Sequence, residues 1–201
     1  MGHPLTMGPF QTLIIENFLP SDIFSKIENN LSNSREYCEL YIENTSPVDK
    51  EIFIIDFKKT DDLSLSLKYF YDESNKILEK NYEKKIVNYK GRSLQKYTTG
   101  AYIVPHDDYS TSTPANEENI FGFMPILSSI YFINDDYEGG EICFGSYCDT
   151  GVGIEFFEKS NMAIKPKKNT LIIFDSKKNH WTTPIVSGIK YSFISFYDVI
   201  Q

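Results

Sequence analysis

The chain has 201 residues, a length typical of one domain with one hydrophobic core. Its formal net charge of −8 disfavours general binding to nucleic acid, because an acidic surface repels a polyanion. No apolar run approaches the ~20 residues of a membrane span, which disfavours a membrane protein. We therefore expect a single domain over residues 1–201, with a flexible N-terminus at 1–10.

The cysteine content favours a reducing compartment. Cys38, Cys143 and Cys148 are odd in number and cannot form a closed set of disulfides. The N-terminus lacks the pattern of a secretory signal, so we expect a cytoplasmic protein. The spacing of Cys143 and Cys148 is wider than that of common zinc sites, and we interpret both as structural.

The first part of the chain alternates short strands with helices. Residues 11–19 predict a strand, and Ser21 is a suitable N-cap for a helix with one apolar face. A short apolar run at 52–57 is typical of a buried strand. A longer helix is predicted to open at Thr60 or Asp61, and its apolar residues repeat at helical spacing from Leu63 to Leu78. We expect this helix to pack on the outside of a sheet.

From residue 86 onward the pattern changes to short strands separated by turns. The predicted strands are 94–97, 101–104, 128–133, 141–144, 154–157, 161–164, 170–174 and 191–197. Such a series favours an all-β sandwich or barrel over a parallel α/β sheet. The polar stretch 109–122 is too long for a simple hairpin loop, so it is either a disordered excursion or a lid over a site.

Two of the three histidines stand in a pattern that suits a metal site. His106 is followed two residues later by Asp108, and His180 lies far downstream. Residues i and i+2 of a strand face the same side, so His106 and Asp108 can both point inward. Two imidazoles and one carboxylate form the facial triad of non-heme Fe(II) oxygenases, which leaves coordination positions open. The alternative is that these histidines are surface or capping residues.

Lys190 follows His180 after a turn at 184–188, which is expected to fold the next strand back beside the strand of His180. An inward-pointing lysine there needs a partner, because buried charges are costly when unpaired. It could hold the remote carboxylate of a dicarboxylate co-substrate. The alternative places Ile189 inside and Lys190 in solvent, and the local sequence does not separate the two.

Several segments extend this pattern along the chain. They are Ile15-Glu-Asn-Phe-Leu-Pro20, Tyr97-x-x-Gly100-x-Tyr102, His106-x-Asp108, Ser129-Ile-Tyr131-Phe-Ile-Asn134, Tyr137-Glu-Gly139-Gly140-Glu141, Lys165-Pro166 before Leu171-Ile-Ile-Phe174, His180-x-x-x-Pro184-Ile185 and Gly188-x-Lys190. From about Leu94 to Tyr197 the chain resembles the Fe(II)- and 2-oxoglutarate-dependent dioxygenases, in particular the branch related to prolyl 4-hydroxylases.

The resemblance implies a mainly β fold, a double-stranded β-helix or jelly roll, with the N-terminal helices packed on one face. It implies three catalytic iron ligands: His106, Asp108 and His180. Lys190 matches the basic residue that pairs with the 5-carboxylate of 2-oxoglutarate. Tyr97 and Tyr131 fall where family tyrosines donate hydrogen bonds to the co-substrate, and the alternative for both is the aromatic core.

The implied cofactors are Fe(II), 2-oxoglutarate as co-substrate and O₂, and the resemblance also raises ascorbate as an accessory reductant. The reaction is hydroxylation of an unactivated C–H bond, coupled to conversion of 2-oxoglutarate into succinate and CO₂. Peptidyl proline is the first choice of substrate on this resemblance, followed by a free amino acid or small metabolite. A nucleobase oxygenase is disfavoured because no arginine follows His180. A binding module without a metal is disfavoured by the intact ligand set. No residue pattern indicates an oligomeric state.

Overall fold

The structure is a computed structural model that describes residues 12–31, 38–42, 50–55, 62–82, 86–88, 93–109, 126–145 and 162–199. Five of the expectations above concern residues that lie wholly or mostly outside this description. They are the flexible segment 1–10, the opening of the second helix at Thr60 or Asp61, the loop or lid at 109–122, the strand at 154–157 and the role of Cys148.

The described residues form two helices and fourteen strands. The helices are α1 (Ser21–Asn30) and α2 (Asp62–Tyr82). The strands are β1 (Leu13–Glu16), β2 (Cys38–Ile42), β3 (Lys50–Ile55), β4 (Ile86–Asn88), β5 (Ser93–Tyr97), β6 (Ile103–His106), β7 (Leu127–Phe132), β8 (Glu138–Gly139), β9 (Ile142–Phe144), β10 (Met162–Ile164), β11 (Thr170–Asp175), β12 (His180–Thr182), β13 (Ile185–Ser187) and β14 (Lys190–Val199).

The strands pair antiparallel into a large sheet, a small sheet and a short ribbon. The large sheet has the order β1-β11-β7-β14-β5-β3-β2, with β4 paired to β14. The small sheet has the order β10-β9-β12-β6, and β13 pairs with β8. Apolar side chains of both sheets meet in one cluster, in which Phe132 and Phe174 of the large sheet contact Ile142 and Phe144 of the small one. The two facing sheets form the predicted double-stranded β-helix.

The two helices cover the other face of the large sheet. The sequence places apolar residues at helical spacing on one side of each helix, and that side is buried: Phe24 and Ile27 in α1, and Leu67 and Phe70 in α2. These residues belong to a second cluster, which includes Phe193 and other residues of the large sheet. Burial of apolar area drives this packing. The expected packing of helices on one face is confirmed.

Alternation along the central strands separates the two clusters. On β7, Ile130 and Phe132 lie between the sheets, whereas Tyr131 lies on the helix side. On β14, Phe193 faces the helices and Ile194 packs between the sheets. This is the two-residue period of a strand whose faces are both covered. It decides which side chains can reach a site between the sheets.

Three local predictions need correction. The N-cap of α1 is Pro20 and not Ser21; the cap makes no side-chain hydrogen bond, and the Pro20 carbonyl accepts from the Phe24 N–H. The strand predicted at 101–104 is Ile103–His106, because Ala101 lies in the connection after β5. The strand after the 184–188 segment does not return beside the strand of His180. β12 is in the small sheet and β14 in the large one, so the chain crosses between sheets here.

Among the described residues, neither helix is both long and apolar enough to cross a membrane.

Candidate active site

Strand pairing brings His106 and His180 together. His106 ends β6 and stands opposite His180, the first residue of β12. Their ring centroids are 4.3 Å apart. Pro105 precedes His106 on β6, which is an end strand in the described order of the small sheet, where a proline without an N–H is tolerated. The pairing explains how two histidines far apart in sequence share one site.

Asp108 completes the cluster from just beyond the end of β6. Its Oδ1 lies 3.5 Å from His106 Nε2, and its Oδ2 lies 3.7 Å from His180 Nε2. One ligand atom from each of the three residues falls within 4.8 Å of the others, close enough to hold a metal ion. The structure thus places the three predicted residues in one group, with the donor set of a facial triad.

Backbone carbonyls fix the orientation of both imidazoles. His106 Nδ1 is 2.8 Å from the carbonyl oxygen of Val104, and His180 Nδ1 is 3.0 Å from that of Lys178. A carbonyl can only accept, so Nδ1 carries the proton in each ring. In a neutral ring Nε2 is then the nitrogen that can bind a metal, and in both histidines this atom faces Asp108.

The protonation states of the cluster also suit a metal. Burial lowers the pKa of His180 to about 4, with Asp108 opposing the effect, so this imidazole is neutral at neutral pH. Burial opposes ionisation of Asp108, but hydrogen bonds from His106 and Ser128 and the nearby His180 outweigh it and lower the pKa of the carboxyl. A neutral histidine and a carboxylate are the states required of metal ligands.

Aromatic side chains surround His180 on the inside of the fold. The side chain is 5% exposed, and its ring centroid is 4.7 Å from that of Phe174 and 6.2 Å from that of Phe144. Phe144 also lines a pocket of about 200 Å³ with Gly145, Met162 and Lys178. His180 therefore has an apolar inner wall, and one residue of that wall borders a cavity.

Lys190 lies beside Phe132 of the apolar cluster between the sheets, whereas His180 lies beside Phe174 of that cluster. It is 2% exposed, whereas Ile189 is 40% exposed, so the solvent-facing alternative is wrong. Its Nζ lies 5.1 Å from the ring centroid of Phe132 and 5.2 Å from that of Tyr97, and it donates to the carbonyl of Gly140 at 3.0 Å. Burial lowers the pKa of Lys190 to about 7, although Glu141 opposes this. The described hydrogen-bond acceptor of this buried ammonium is the Gly140 carbonyl, and two of its three hydrogens remain available for donation.

Tyr97 and Tyr131, predicted together, occupy different faces of the large sheet. Tyr97 stands opposite Lys190 in the β5–β14 register, faces the same side and donates its hydroxyl hydrogen to Gln95 Oε1. Tyr131 packs against Phe18 and Phe70 on the helix side, and its hydroxyl donates to Asn169 Oδ1 at 2.9 Å. This placement contradicts a contact between Tyr131 and the co-substrate. Tyr131 is part of the aromatic core.

Two contributors to the site were not singled out from sequence. Ser128 donates to the Asp108 carboxylate and contacts Ser176 Oγ at 2.9 Å. Gly140 has a φ of +66°, and a Cβ there would lie 2.5 Å from Ile185 Cδ1. Gly139 and Gly140 in sequence could have indicated a close approach of the backbone to a neighbouring group. Ser128 lies on the same face of β7 as Phe132, so the two-residue period of the strand could have placed it between the sheets.

Comparison with known proteins agrees with the geometry of the site. The model of the 2OG-Fe(II) oxygenase superfamily matches residues 93–198, more than half of the chain. The matched segment includes His106, Asp108, His180 and Lys190. No curated protein matches the sequence.

Several solved structures share the fold at low sequence identity. A Pseudomonas putida prolyl-4-hydroxylase is 14% identical with a TM-score of 0.62, over 94% of this chain and 93% of that one. A Trichoplax adhaerens prolyl hydroxylase in complex with a hypoxia inducible factor peptide is 15% identical with a TM-score of 0.62, over 92% and 82%. HygX from Streptomyces hygroscopicus, with nickel, 2-oxoglutarate and hygromycin B bound, is 10% identical with a TM-score of 0.62, over 92% and 82%.

Proposed function

Because the chain belongs to the 2OG-Fe(II) oxygenase superfamily and is a 2-oxoglutarate-dependent dioxygenase, we propose that it hydroxylates proline in a peptide substrate. The cluster of His106, Asp108 and His180 is the observation that carries the oxygenase chemistry. The choice of peptidyl proline is supported by the correspondence with the P. putida prolyl-4-hydroxylase over nearly the full length of both chains.

In this proposal the three clustered residues are the ligands of Fe(II). One ligand atom from each of the three residues lies within 4.8 Å of the others, and burial keeps His180 neutral while the Asp108 pKa is lowered. No reorganisation of the rings is needed, because the Val104 and Lys178 carbonyls hold them. Such outer partners commonly set both the tautomer and the ring orientation of metal-bound histidines.

Lys190 is proposed to bind the remote carboxylate of 2-oxoglutarate, with Tyr97 beside it. The residues fit this anion, because an ammonium has three hydrogens to donate and Gly140 accepts one of them. Phe132 contacts Lys190, and in the same cluster Phe144 and Phe174 contact His180. A dicarboxylate lying along this cluster is directed from the lysine toward the metal ligands.

The bound iron and 2-oxoglutarate supply the oxidation, in which one oxygen atom of O₂ enters the substrate and the other enters succinate as CO₂ leaves. The protein supplies position and exclusion of water. Asp108 and the two histidines hold one face of the centre, and Phe144 and Phe174 shield His180 from solvent. The pocket beside Phe144 leaves space for the substrate.

The test is incubation of the enzyme with a panel of proline-rich peptides, Fe(II), ascorbate and 2-oxoglutarate, followed by mass spectrometry. We expect a peptide to gain one oxygen atom on proline, with succinate formed in equal amount. The His180→Ala variant is the matched control and should give neither product. Succinate release without any hydroxylated peptide would reject the peptidyl substrate and retain the oxygenase.

A small-molecule substrate is the second candidate, because the fold is shared equally with HygX, whose structure holds hygromycin B. The two candidates differ in what stimulates succinate formation. A panel of free amino acids and small metabolites, assayed under the same conditions, should leave succinate release at its basal rate if peptides are the substrate. Stimulation by a small molecule, with the matching oxygenated product, would support the alternative.

A further inference from the structure

The hydroxyl of Tyr137 is buried without a hydrogen-bond partner among the residues that the structure describes. The side chain is 4% exposed and lies in the connection between β7 and β8. Burial raises the pKa of this phenol, with Asp135 adding to the effect, so the proton stays in place and the group is a donor. Buried polar groups nearly always have a partner, because an unmade hydrogen bond costs free energy. The missing acceptor is a feature that needs an explanation.

The position of Tyr137 indicates what the acceptor is. Its ring belongs to the small cluster with Tyr97, Ala101 and Ile185. A Cβ added to Gly140 would lie 3.1 Å from Tyr137 Cε2 and 3.4 Å from Lys190 Cδ. The tyrosine ring and the lysine chain therefore meet over the same glycine, which is tolerated only because Gly140 has no side chain. Tyr137 is therefore a neighbour of the buried Lys190 side chain.

The Lys190 ammonium and the Tyr137 hydroxyl are both hydrogen-bond donors that one anion could accept from. Lys190 donates to the Gly140 carbonyl and lies over the rings of Tyr97 and Phe132, and the face of an aromatic ring is a weak acceptor compared with an oxygen atom. Phe132 offers no hydroxyl. A carboxylate has two oxygens with about four acceptor sites, enough for an ammonium and a phenol together. Hydrogen bonds to an ionised acceptor are the strong ones.

We propose that Tyr137 donates its hydroxyl hydrogen to the remote carboxylate that Lys190 binds, and so selects a 2-oxo acid with a second carboxylate. This rests on the proposed function, since it takes 2-oxoglutarate as the anion. Tyr137 is a binding residue in this assignment, and it lies next to Lys190 beside Gly140. The selectivity lies in the tail of the co-substrate, because the chelating end makes no contact with Tyr137.

The test compares two ligands on the Tyr137→Phe variant. 2-Oxoglutarate and 2-oxobutyrate share the chelating end, and 2-oxobutyrate lacks the second carboxylate. Each is titrated anaerobically into Fe(II)-loaded protein, with the metal-to-ligand absorption band as readout. We expect the Kd for 2-oxoglutarate to rise about tenfold in the variant, the effect of one lost hydrogen bond to a charged acceptor. The Kd for 2-oxobutyrate should stay unchanged.

The unfolding temperature without ligand gives an independent readout. Tyr137→Phe removes a hydroxyl without a described partner, so it should leave that temperature unchanged or higher. Tyr131→Phe is the matched control, because it removes a buried hydroxyl that is bonded to Asn169 on the helix side. It should lower the unfolding temperature and leave both Kd values unaltered.

The outcomes separate the two proposals. An unchanged Kd for 2-oxoglutarate in Tyr137→Phe, or an equal loss for both ligands, overturns the role of Tyr137 and leaves the proposed function intact. A parent protein that gives no absorption band with Fe(II) and 2-oxoglutarate overturns the proposed function, and the role of Tyr137 with it.

Discussion

Each of the three clustered residues is held by neighbours that have no direct role in chemistry. Val104 and Lys178 orient the imidazoles through their carbonyls, and Ser128 donates to Asp108. These contacts exist without a metal. Replacing one of the three residues should therefore weaken metal binding more than it lowers the stability of the fold. Replacing His180 should lower stability more than replacing the other two, because His180 is the buried one of the three.

We predict that His106→Ala, Asp108→Ala and His180→Ala each abolish Fe(II) binding and turnover and retain the fold. Removing one ligand leaves an incomplete metal shell, whereas His106 and Asp108 are only partly buried. His180→Ala should cost more stability, on the order of 2 kcal/mol, because it opens space beside Phe174. Metal content after anaerobic desalting and the circular dichroism spectrum measure the two effects.

Asp107→Ala is the matched control, since it removes a carboxylate one residue from the site. It should retain Fe(II) at the parent level, because the clustered carboxylate is Asp108. Retention of iron by Asp108→Ala together with its loss from Asp107→Ala would show that the wrong carboxylate had been assigned.

We predict that Lys190 makes binding of 2-oxoglutarate dependent on pH. Its pKa in the folded protein is about 7, lowered from 10.5 by burial, and a bound carboxylate favours the charged form. Above that pH the pocket must take up a proton to bind the anion, so the Kd should rise about tenfold per pH unit. Calorimetric titrations in buffers of different ionisation enthalpy, with Fe(II) present and O₂ absent, count the proton directly.

Two variants serve as controls for this titration. Lys190→Arg keeps a charge at all these pH values, so any binding that it retains should lose the pH dependence. Without ligand, the unfolded chain holds a proton between about pH 7 and 10.5 that folded Lys190 lacks, so stability should rise with pH across this window. Lys190→Met should remove that rise. A parent whose affinity for 2-oxoglutarate is flat from pH 6 to 9 would contradict the assignment.

At the scale of elements, segments with a clear apolar pattern could be predicted from sequence, whereas several of the shortest strands could not. The periodic apolar face of α2 and the apolar run of β11 carry their own signal. β8, β12 and β13 have two or three residues each, too few to show a period, and they form because partner strands lie beside them. The crossing from β12 to β14 was missed for this reason.

The candidate site shows the same division. The His-x-Asp spacing at the end of β6 could be read directly, and the lysine followed from the family pattern. Tyr131 was misplaced because adjacent residues on β7 face opposite sides, and sequence does not fix the face when both are apolar. Tyr137 was missed because an unpaired hydroxyl exists only in the folded packing.

Asn169 connects three elements on the helix side of the large sheet. Its Oδ1 accepts from the Leu19 N–H and the Tyr131 hydroxyl, both at 2.9 Å, and its Nδ2 donates to the Leu19 carbonyl. It also has a φ of +57°, which asparagine tolerates better than most residues. The side chain thus joins the turn before β11 to β7 and to the segment before α1.

We predict that Asn169→Ala lowers the free energy of unfolding by about 2–5 kcal/mol, since it leaves buried polar groups unpaired and strains the backbone. The Kd for 2-oxoglutarate should not change, because Asn169 lies on the opposite face from Lys190. Denaturant unfolding and anaerobic titration measure the two quantities. Lys168→Ala, at the same turn, removes a solvent-accessible ion pair with Glu28 and a long contact with the Phe24 ring, and it should cost less than about 1 kcal/mol. A weaker 2-oxoglutarate complex in Asn169→Ala would show that the two faces are coupled.

At the scale of the molecule, the candidate site connects the two sheets. The histidines belong to the small sheet, whereas Lys190 and Tyr97 belong to the large one. The sheets otherwise meet through the apolar cluster around Phe132 and Phe144. A co-substrate that chelates the iron and reaches Lys190 adds a second connection across the same interior. Its binding should therefore stabilise the whole fold and not one strand.

We predict that saturating Fe(II) and 2-oxoglutarate together raise the unfolding temperature under anaerobic conditions. A ligand at a hundred times its Kd stabilises the native state by about 2.7 kcal/mol, which corresponds to roughly 5–10 °C for a chain of this size. In the parent, 2-oxoglutarate should add its shift only when iron is present, because the chelate needs the metal. His180→Ala should show neither shift, and Lys190→Met should keep the iron shift and lose that of 2-oxoglutarate. Equal shifts from 2-oxoglutarate in the parent and in Lys190→Met would mean that the anion binds elsewhere and that the lysine pocket does not hold it.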